Sequence, residues 1–216
     1  VYLITFLLVT SLQAQGMYFK SGQTGIGIAG NYEIEDVEGG ETTTLVLSGS
    51  YVMNGNIEFG GGYVKSNYAD DLDDDFDLSM FGIEFGGFYH IKDESLPMNF
   101  KIGGSYGTLN VESELLDDFG IEMTGKSTSI GGGAYKKIMK TDQFTITGFV
   151  NYFNITTEMT VESDYGDSES EDDESSFTSF GVGFHFPSNF FIQPQIERSE
   201  DDSGYSIVFG LILPNN

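Results

Sequence analysis

The chain has 216 residues, with 29 Gly, 19 Phe and 12 Tyr against 4 Pro and no Cys. This length suits one domain, and the lack of Cys excludes disulfides, thiol catalysis and thiolate metal sites. The formal net charge of −25, from 34 acidic and 9 basic residues, argues against nucleic acid as a partner, because affinity for a phosphate backbone comes from Lys and Arg.

The first residues form an apolar run, VYLITFLLV, that is too short to cross a bilayer as a helix. Small and polar residues follow it up to Ala14. This pattern predicts a signal peptide over residues 1–14, truncated at its start and cleaved after Ala14, followed by a barrel domain over residues 15–216. A buried first strand is the alternative.

Beyond residue 16, apolar and polar residues alternate with period two, which predicts strands with one apolar and one polar face. Asn54-Gly55 is a typical two-residue hairpin turn between two such segments. We count about ten strands, with eight as the fallback. Their apolar faces run from Ile26 to Ile34, Leu45 to Met53, Ile57 to Tyr63, Phe81 to Ile91, Phe100 to Tyr106, Thr128 to Ala134, Phe144 to Tyr152, Phe180 to Phe186, Phe190 to Ile196 and Tyr205 to Leu213.

The connections alternate between two kinds. Short turns are expected at Asn54-Gly55, Lys92 to Pro97, Lys140 to Gln143 and Pro187 to Asn189, and acidic, mostly longer loops at Glu35 to Glu41, Ala69 to Asp77, Glu112 to Glu122, Glu158 to Ser175 and Ser199 to Ser203. This asymmetry is typical of outer-membrane barrels, with tight periplasmic turns and long outer loops. We therefore predict an all-β fold: a single closed antiparallel up-and-down transmembrane β-barrel with both termini in the periplasm.

The apolar faces should point to lipid and the reverse faces into a narrow lumen filled by polar side chains. These inward residues include Glu58, Glu84, Lys101, Ser129, Tyr135, Asn151, Gln193 and Gln195. Aromatic residues near strand ends, Tyr18 and Phe19 among them, are expected to form girdles at the membrane surfaces.

Alternating carboxylates in the acidic run from Asp70 to Asp77 lack the Gly and bidentate Glu of an EF-hand. They leave a looser calcium or other divalent cation site at Asp71, Asp73 and Asp75, or a solvated repulsive loop, as alternatives. The low-complexity stretch Ser163 to Ser176 is expected to be disordered or mobile outside the membrane. No catalytic residue and no other cofactor are predicted, and His90 and His185 are interpreted as satisfied interior residues.

With these features the chain resembles the outer-membrane β-barrel families of Gram-negative bacteria, in particular small porin-like and opacity-type surface proteins, over Met17 to Leu213. The resemblance implies that outer-membrane lipid surrounds the barrel. It also implies that the barrel assembly machinery reads the last strand, Tyr205 to Leu213.

The leading hypothesis for function is a non-enzymatic outer-membrane surface barrel whose acidic extracellular loops serve adhesion, cation binding or envelope integrity. The alternatives are a narrow passive pore for small solutes and a soluble secreted β-sandwich.

Overall fold

The chain forms ten antiparallel strands that close into one barrel in sequence order, with the first strand paired to the last. The computed structural model describes residues 15–37, 40–70, 77–166, 168–199 and 203–215. The strands are β1 Thr24–Val37, β2 Gly40–Met53, β3 Ile57–Asp70, β4 Asp77–Ile91, β5 Asn99–Glu112, β6 Ile121–Lys140, β7 Thr145–Ser163, β8 Ser168–His185, β9 Phe190–Arg198 and β10 Ser203–Asn215. A 3-10 turn at Gly16–Tyr18 precedes β1, and a short helix, α1 Glu114–Asp118, lies between β5 and β6.

Closure is made by β1 and β10, whose register runs from Thr24 opposite Asn215 to Asn31 opposite Val208. A closed barrel leaves no free sheet edge, so each strand has a hydrogen-bonded neighbour on both sides. The prediction of a closed barrel with ten strands is confirmed, and the alternatives of eight strands and of a β-sandwich are wrong.

The turns between β2 and β3, β4 and β5, β6 and β7, and β8 and β9 lie at one end of the barrel, which we call the turn end. The start of β1 and the end of β10 lie there too, as an even number of strands requires. We call the opposite end the loop end. The β2–β3 hairpin turns at Asn54 and Gly55, both with positive φ (53° and 70°), a conformation that Asn and Gly tolerate best.

The two faces of the wall differ as the alternation predicts. Outward-pointing apolar residues are exposed, with Phe85 at 62% and Ile130 at 65%, whereas inward-pointing Val52 and Phe153 are fully buried. The polar residues predicted to point inward are largely buried as well, including Glu58, Glu84, Lys101, Ser129, Asn151, Gln193 and Gln195. The sequence pattern therefore assigned lipid-facing and lumen-facing sides correctly at these positions.

Two predicted loops are instead strand. Strand β1 continues to Val37 and β2 begins at Gly40, so little of Glu35 to Glu41 is loop. Likewise β7 continues to Ser163 and β8 begins at Ser168, so the predictions of a loop over Glu158 to Ser175 and of disorder over residues 163–176 are wrong.

The acidic part of β8 is held by its neighbour. Glu174 lies opposite Thr156 and Ser168 opposite Glu162, so the ladder runs almost to the hairpin tip. Strand β7 supplies β-branched residues with a high propensity for strand, and the backbone ladder needs no apolar side chain from β8. Strand β9 ends at Arg198, opposite Thr178, so the β7–β8 hairpin extends beyond β9 at the loop end.

No helix within the described ranges has the length and apolar character needed to cross a bilayer. The predicted signal peptide over residues 1–14 and the predicted cation ligands Asp71, Asp73 and Asp75 lie outside the described residues.

Candidate functional site

The segment before β1 folds into the turn end of the barrel and closes it from inside. We call residues Gln15 to Phe19 the lumen plug. Gln15 is fully buried, and Met17 and Phe19 are 4% and 2% exposed. Tyr18 and Phe19 were predicted to lie in a membrane-surface girdle, and this is wrong, because both rings lie in the lumen.

Glu58, on the inward face of β3, is the main anchor of the plug. Its carboxylate accepts a bifurcated hydrogen bond from the Gly16 backbone N–H, with the nitrogen 3.1 Å from each oxygen. The Ser50 hydroxyl donates to Glu58 Oε1 at 2.8 Å, and His90 Nε2 lies 2.9 Å from Glu58 Oε2. This carboxylate is 2% exposed, so its burial is offset by several donors together.

His90, on β4, links Glu58 to Tyr135 on β6. Its Nδ1 lies 3.1 Å from the Tyr135 hydroxyl, and the His90 side chain is fully buried. Because the ring bonds a carboxylate through Nε2, that nitrogen carries a proton in this arrangement. The prediction that His90 is a satisfied interior residue is confirmed by these two contacts.

Lys92 anchors the plug from the turn between β4 and β5. Its ammonium group donates to the backbone carbonyls of Gly16 and Phe19, each at 2.8 Å. Burial lowers the pKa of Lys92 to about 8, an effect that the Glu58 carboxylate opposes and Lys137 adds to. Two side chains thus hold the backbone of the plug. The Glu58 carboxylate accepts from the Gly16 N–H, and the Lys92 ammonium group donates to the Gly16 and Phe19 carbonyls.

Side chains of the plug extend this network along two walls. The amide nitrogen of Gln15 donates to Ser48 Oγ at 3.0 Å, and Gln15 Oε1 lies 2.7 Å from Ser50 Oγ, whose single proton is shared between this oxygen and the Glu58 carboxylate. The Tyr18 hydroxyl donates to Gln193 Oε1 at 2.9 Å, and Gln193 donates to Gln195 at 2.8 Å.

Gly16 has no room for a side chain. A Cβ there would overlap the Glu58 carboxylate and the His90 ring. The close approach of this backbone to both groups therefore requires glycine.

Apolar side chains fill the lumen beyond the plug. Phe88, Phe153, Ile155 and Phe177 form one buried cluster. The Phe88 and Phe153 rings meet edge to face, 5.9 Å apart and at 86°. The Lys101 ammonium lies 5.3 Å from the centre of the Phe88 ring. The prediction of a filled lumen is confirmed at these residues, where aromatic rings fill it together with polar groups.

The arrangement around Glu58 suits anchoring better than acid-base chemistry. A serine nucleophile needs its hydroxyl bonded to the histidine base, whereas Ser50 donates to Glu58. Ser50, Glu58 and His90 are 4%, 2% and 0% exposed and lie under the plug, where a substrate has no access. Within the described part of the chain, no group of three or more His, Cys, Asp or Glu is arranged to hold a metal ion.

The chain matches no protein-family model and no curated protein. Solved structures that are similar to it are outer-membrane β-barrels. The transport unit of the autotransporter AIDA-I from Escherichia coli is 11% identical over 100% of this chain and 97% of that one, with a TM-score of 0.46. The toluene transporter TodX of P. putida is 12% identical over 97% and 71%, with a TM-score of 0.35. Ail, the attachment invasion locus protein of Yersinia pestis, is 14% identical over 91% and 100%, with a TM-score of 0.33.

Proposed function

We propose that the protein is a non-enzymatic surface barrel of a Gram-negative outer membrane, with a closed lumen and an acidic surface at its outer end. The observation that carries this proposal is the belt of exposed apolar side chains around the wall. Nine strands contribute exposed large apolar residues, and β9 contributes the half-buried Ile192 and Ile196. Soluble monomers seldom expose contiguous apolar patches above a few hundred Å².

The filled lumen favours a closed barrel over the narrow passive pore. A solute would have to displace the plug at the turn end and then pass the cluster of Phe88, Phe153 and Phe177. We therefore expect no conductance steps when the protein is incorporated into planar bilayers. Defined single-channel steps from the wild type would support the pore instead.

The loop end supports a role in binding cations or cationic surfaces. Strand β8 presents Glu169, Glu171 and Asp172 as exposed residues on the projecting β7–β8 hairpin. These carboxylates lie beyond the end of β9, so they stand clear of the wall. Adhesion, cation binding and envelope integrity all draw on such an acidic surface.

The proposal places the turn end in the periplasm and the loop end outside the cell. Because the sequence has no Cys, single cysteines report position without background. Asp172→Cys at the loop end should react with an impermeant maleimide on intact cells, and Asp142→Cys at the turn end only after permeabilisation. Labelling of Asp142→Cys on intact cells, with Asp172→Cys labelled only after permeabilisation, would overturn the orientation. A protein that does not fractionate with membranes would overturn the membrane placement.

A further inference from the structure

Basic residues collect at the turn end, although the chain as a whole is strongly acidic. Apart from Lys101, which is buried in the lumen near this end, five of the nine basic residues lie here, namely Lys20, Lys92, Lys136, Lys137 and Lys140. Lys92 is engaged by the lumen plug. The others are exposed and surround the point where the chain leaves the lumen.

Three of these lysines line one cavity. It has a volume of about 420 Å³ and lies between the plug and the turns that follow β6 and β8. Lys20, Lys137 and Lys140 line it, and we call this cavity the basic cup. Asp142 is the one acidic residue among its described lining residues. The remaining wall is mixed: it includes the apolar residues Met17, Phe144, Phe186, Pro187 and Ile212 and several polar residues, among them Thr147 and His185.

No carboxylate of the described residues forms an ion pair with a lysine of the cup. The ion pairs found among the described residues join His90 to Glu58 and Lys126 to Glu158, so neither involves a lysine of the cup. His185 also lines the cup, and its Nε2 is buried without a hydrogen-bond partner in the described structure, so the prediction that His185 is a satisfied interior residue is wrong for this nitrogen. A concave site with three ammonium groups favours an anion with several acceptor oxygens.

The position of the cup indicates where that anion comes from. The Phe144 and Phe186 rings lie 6.4 Å apart, and Phe186 stacks on Phe190 at 6.1 Å. These rings sit where the apolar belt ends, and aromatic residues of membrane barrels lie at the depth of the lipid headgroups. The cup therefore lies at the rim of the barrel, beside rings at the depth expected for headgroups, with apolar and polar residues next to its lysines.

We propose that the basic cup binds the phosphate of an anionic phospholipid from the leaflet at the turn end. The lysines would hold the phosphate, and the apolar residues of the wall would contact the glycerol and the first part of an acyl chain. This inference rests on the proposed placement of the barrel in a membrane. It adds a binding site at the end opposite to the acidic surface.

The test is native mass spectrometry of the full chain released from nanodiscs with equal parts of phosphatidylglycerol and phosphatidylcholine. The wild type should retain phosphatidylglycerol selectively. Lys137→Gln with Lys140→Gln should lower that retention roughly tenfold, since each lysine near an anionic headgroup contributes to binding. The matched control is Lys65→Gln with Lys126→Gln, which removes the same charge from exposed positions in β3 and β6 towards the loop end.

Three outcomes would overturn the proposal. The wild type could retain phosphatidylglycerol and phosphatidylcholine equally. The cup variant and the control variant could also lose phosphatidylglycerol to the same extent, which would indicate a general electrostatic attraction rather than a binding site. Inorganic phosphate could displace the bound phosphatidylglycerol as effectively as added phosphatidylglycerol does, which would identify free phosphate as the ligand. Failure of the wild type to enter nanodiscs would instead count against the membrane placement itself.

Discussion

The Glu58 carboxylate holds the Gly16 backbone N–H through both of its oxygens, across a sequence separation of 42 residues. This contact ties the chain before the first strand to the inner wall of β3. It also brings His90 and Ser50 onto the same carboxylate. One inward-pointing acidic residue thus joins the plug at Gly16 to side chains of β2 and β4.

Glu58→Gln should destabilise the barrel by about 3 kcal/mol, because it removes a buried charge that several donors share. The glutamine amide has the same shape as the carboxylate, but an NH₂ group replaces one of the two oxygens. This donor would then face another donor, either the Gly16 N–H or the His90 ring. Urea unfolding in lipid vesicles measures the change. Glu94→Gln, an exposed carboxylate in the turn after β4, is the control and should be nearly neutral. Similar losses for both variants would contradict the anchoring role of Glu58.

Gly16→Ala should displace the plug, because a Cβ there overlaps the Glu58 carboxylate and the His90 ring. We expect a loss of roughly 1 to 3 kcal/mol and faster hydrogen exchange of the plug amides. Gly49→Ala is the matched control in β2, since a Cβ there meets only the Gly27 carbonyl at 3.8 Å. Unchanged exchange in Gly16→Ala would show that the plug is not seated as described.

Alternation in the sequence was enough to predict the strands and their faces, because side-chain direction in a strand has period two. It placed Glu58 and Gln193 in the lumen for that reason. The plug could not be predicted, since Gln15 to Phe19 show no periodicity, and Tyr18 meets Gln193 across 175 residues. The acidic strand was missed because composition reports on side chains, whereas β8 is held by its backbone ladder to β7.

The lipid-facing side of β4 gives a depth-dependent test of membrane insertion. Phe85 and Ile83 are 62% and 47% exposed at mid-strand. An arginine at either position should cost about 2 to 4 kcal/mol in a bilayer, and Ser79→Arg, nearer the loop end, should cost less. Folding titrations into lipid vesicles measure all three. Equal costs would contradict a bilayer centred on the middle of β4.

Because Lys92 is buried, we expect the free energy of unfolding to rise with pH between about 8 and 10.5. Its pKa is lowered by burial from 10.5 to about 8 in the folded protein. Between these values the unfolded chain binds the proton and the folded protein does not, so the free energy of unfolding increases with pH. Below about pH 8 both states are protonated and the contribution is constant. The measurement is the difference in unfolding free energy between wild type and Lys92→Met, which should shift in favour of the wild type as pH rises through that window. A difference that stays flat would contradict the burial of this amine.

Calcium binding at the loop end remains a prediction from the alternating carboxylates Asp71, Asp73 and Asp75. If these residues bind the ion, calcium should raise the melting temperature, with a stabilisation that follows the logarithm of free ion over its dissociation constant. Replacing all three by Asn should abolish the gain without changing the melting temperature in chelator, because the wall holds itself by its own ladders. Asp172→Asn with Glu169→Gln and Glu171→Gln is the control, which removes the same charge from β8. If only the control variant loses the calcium-induced rise in melting temperature, the site lies on the β7–β8 hairpin instead. If the melting temperature of the wild type does not change at millimolar calcium, the acidic run from Asp70 to Asp77 is a solvated loop.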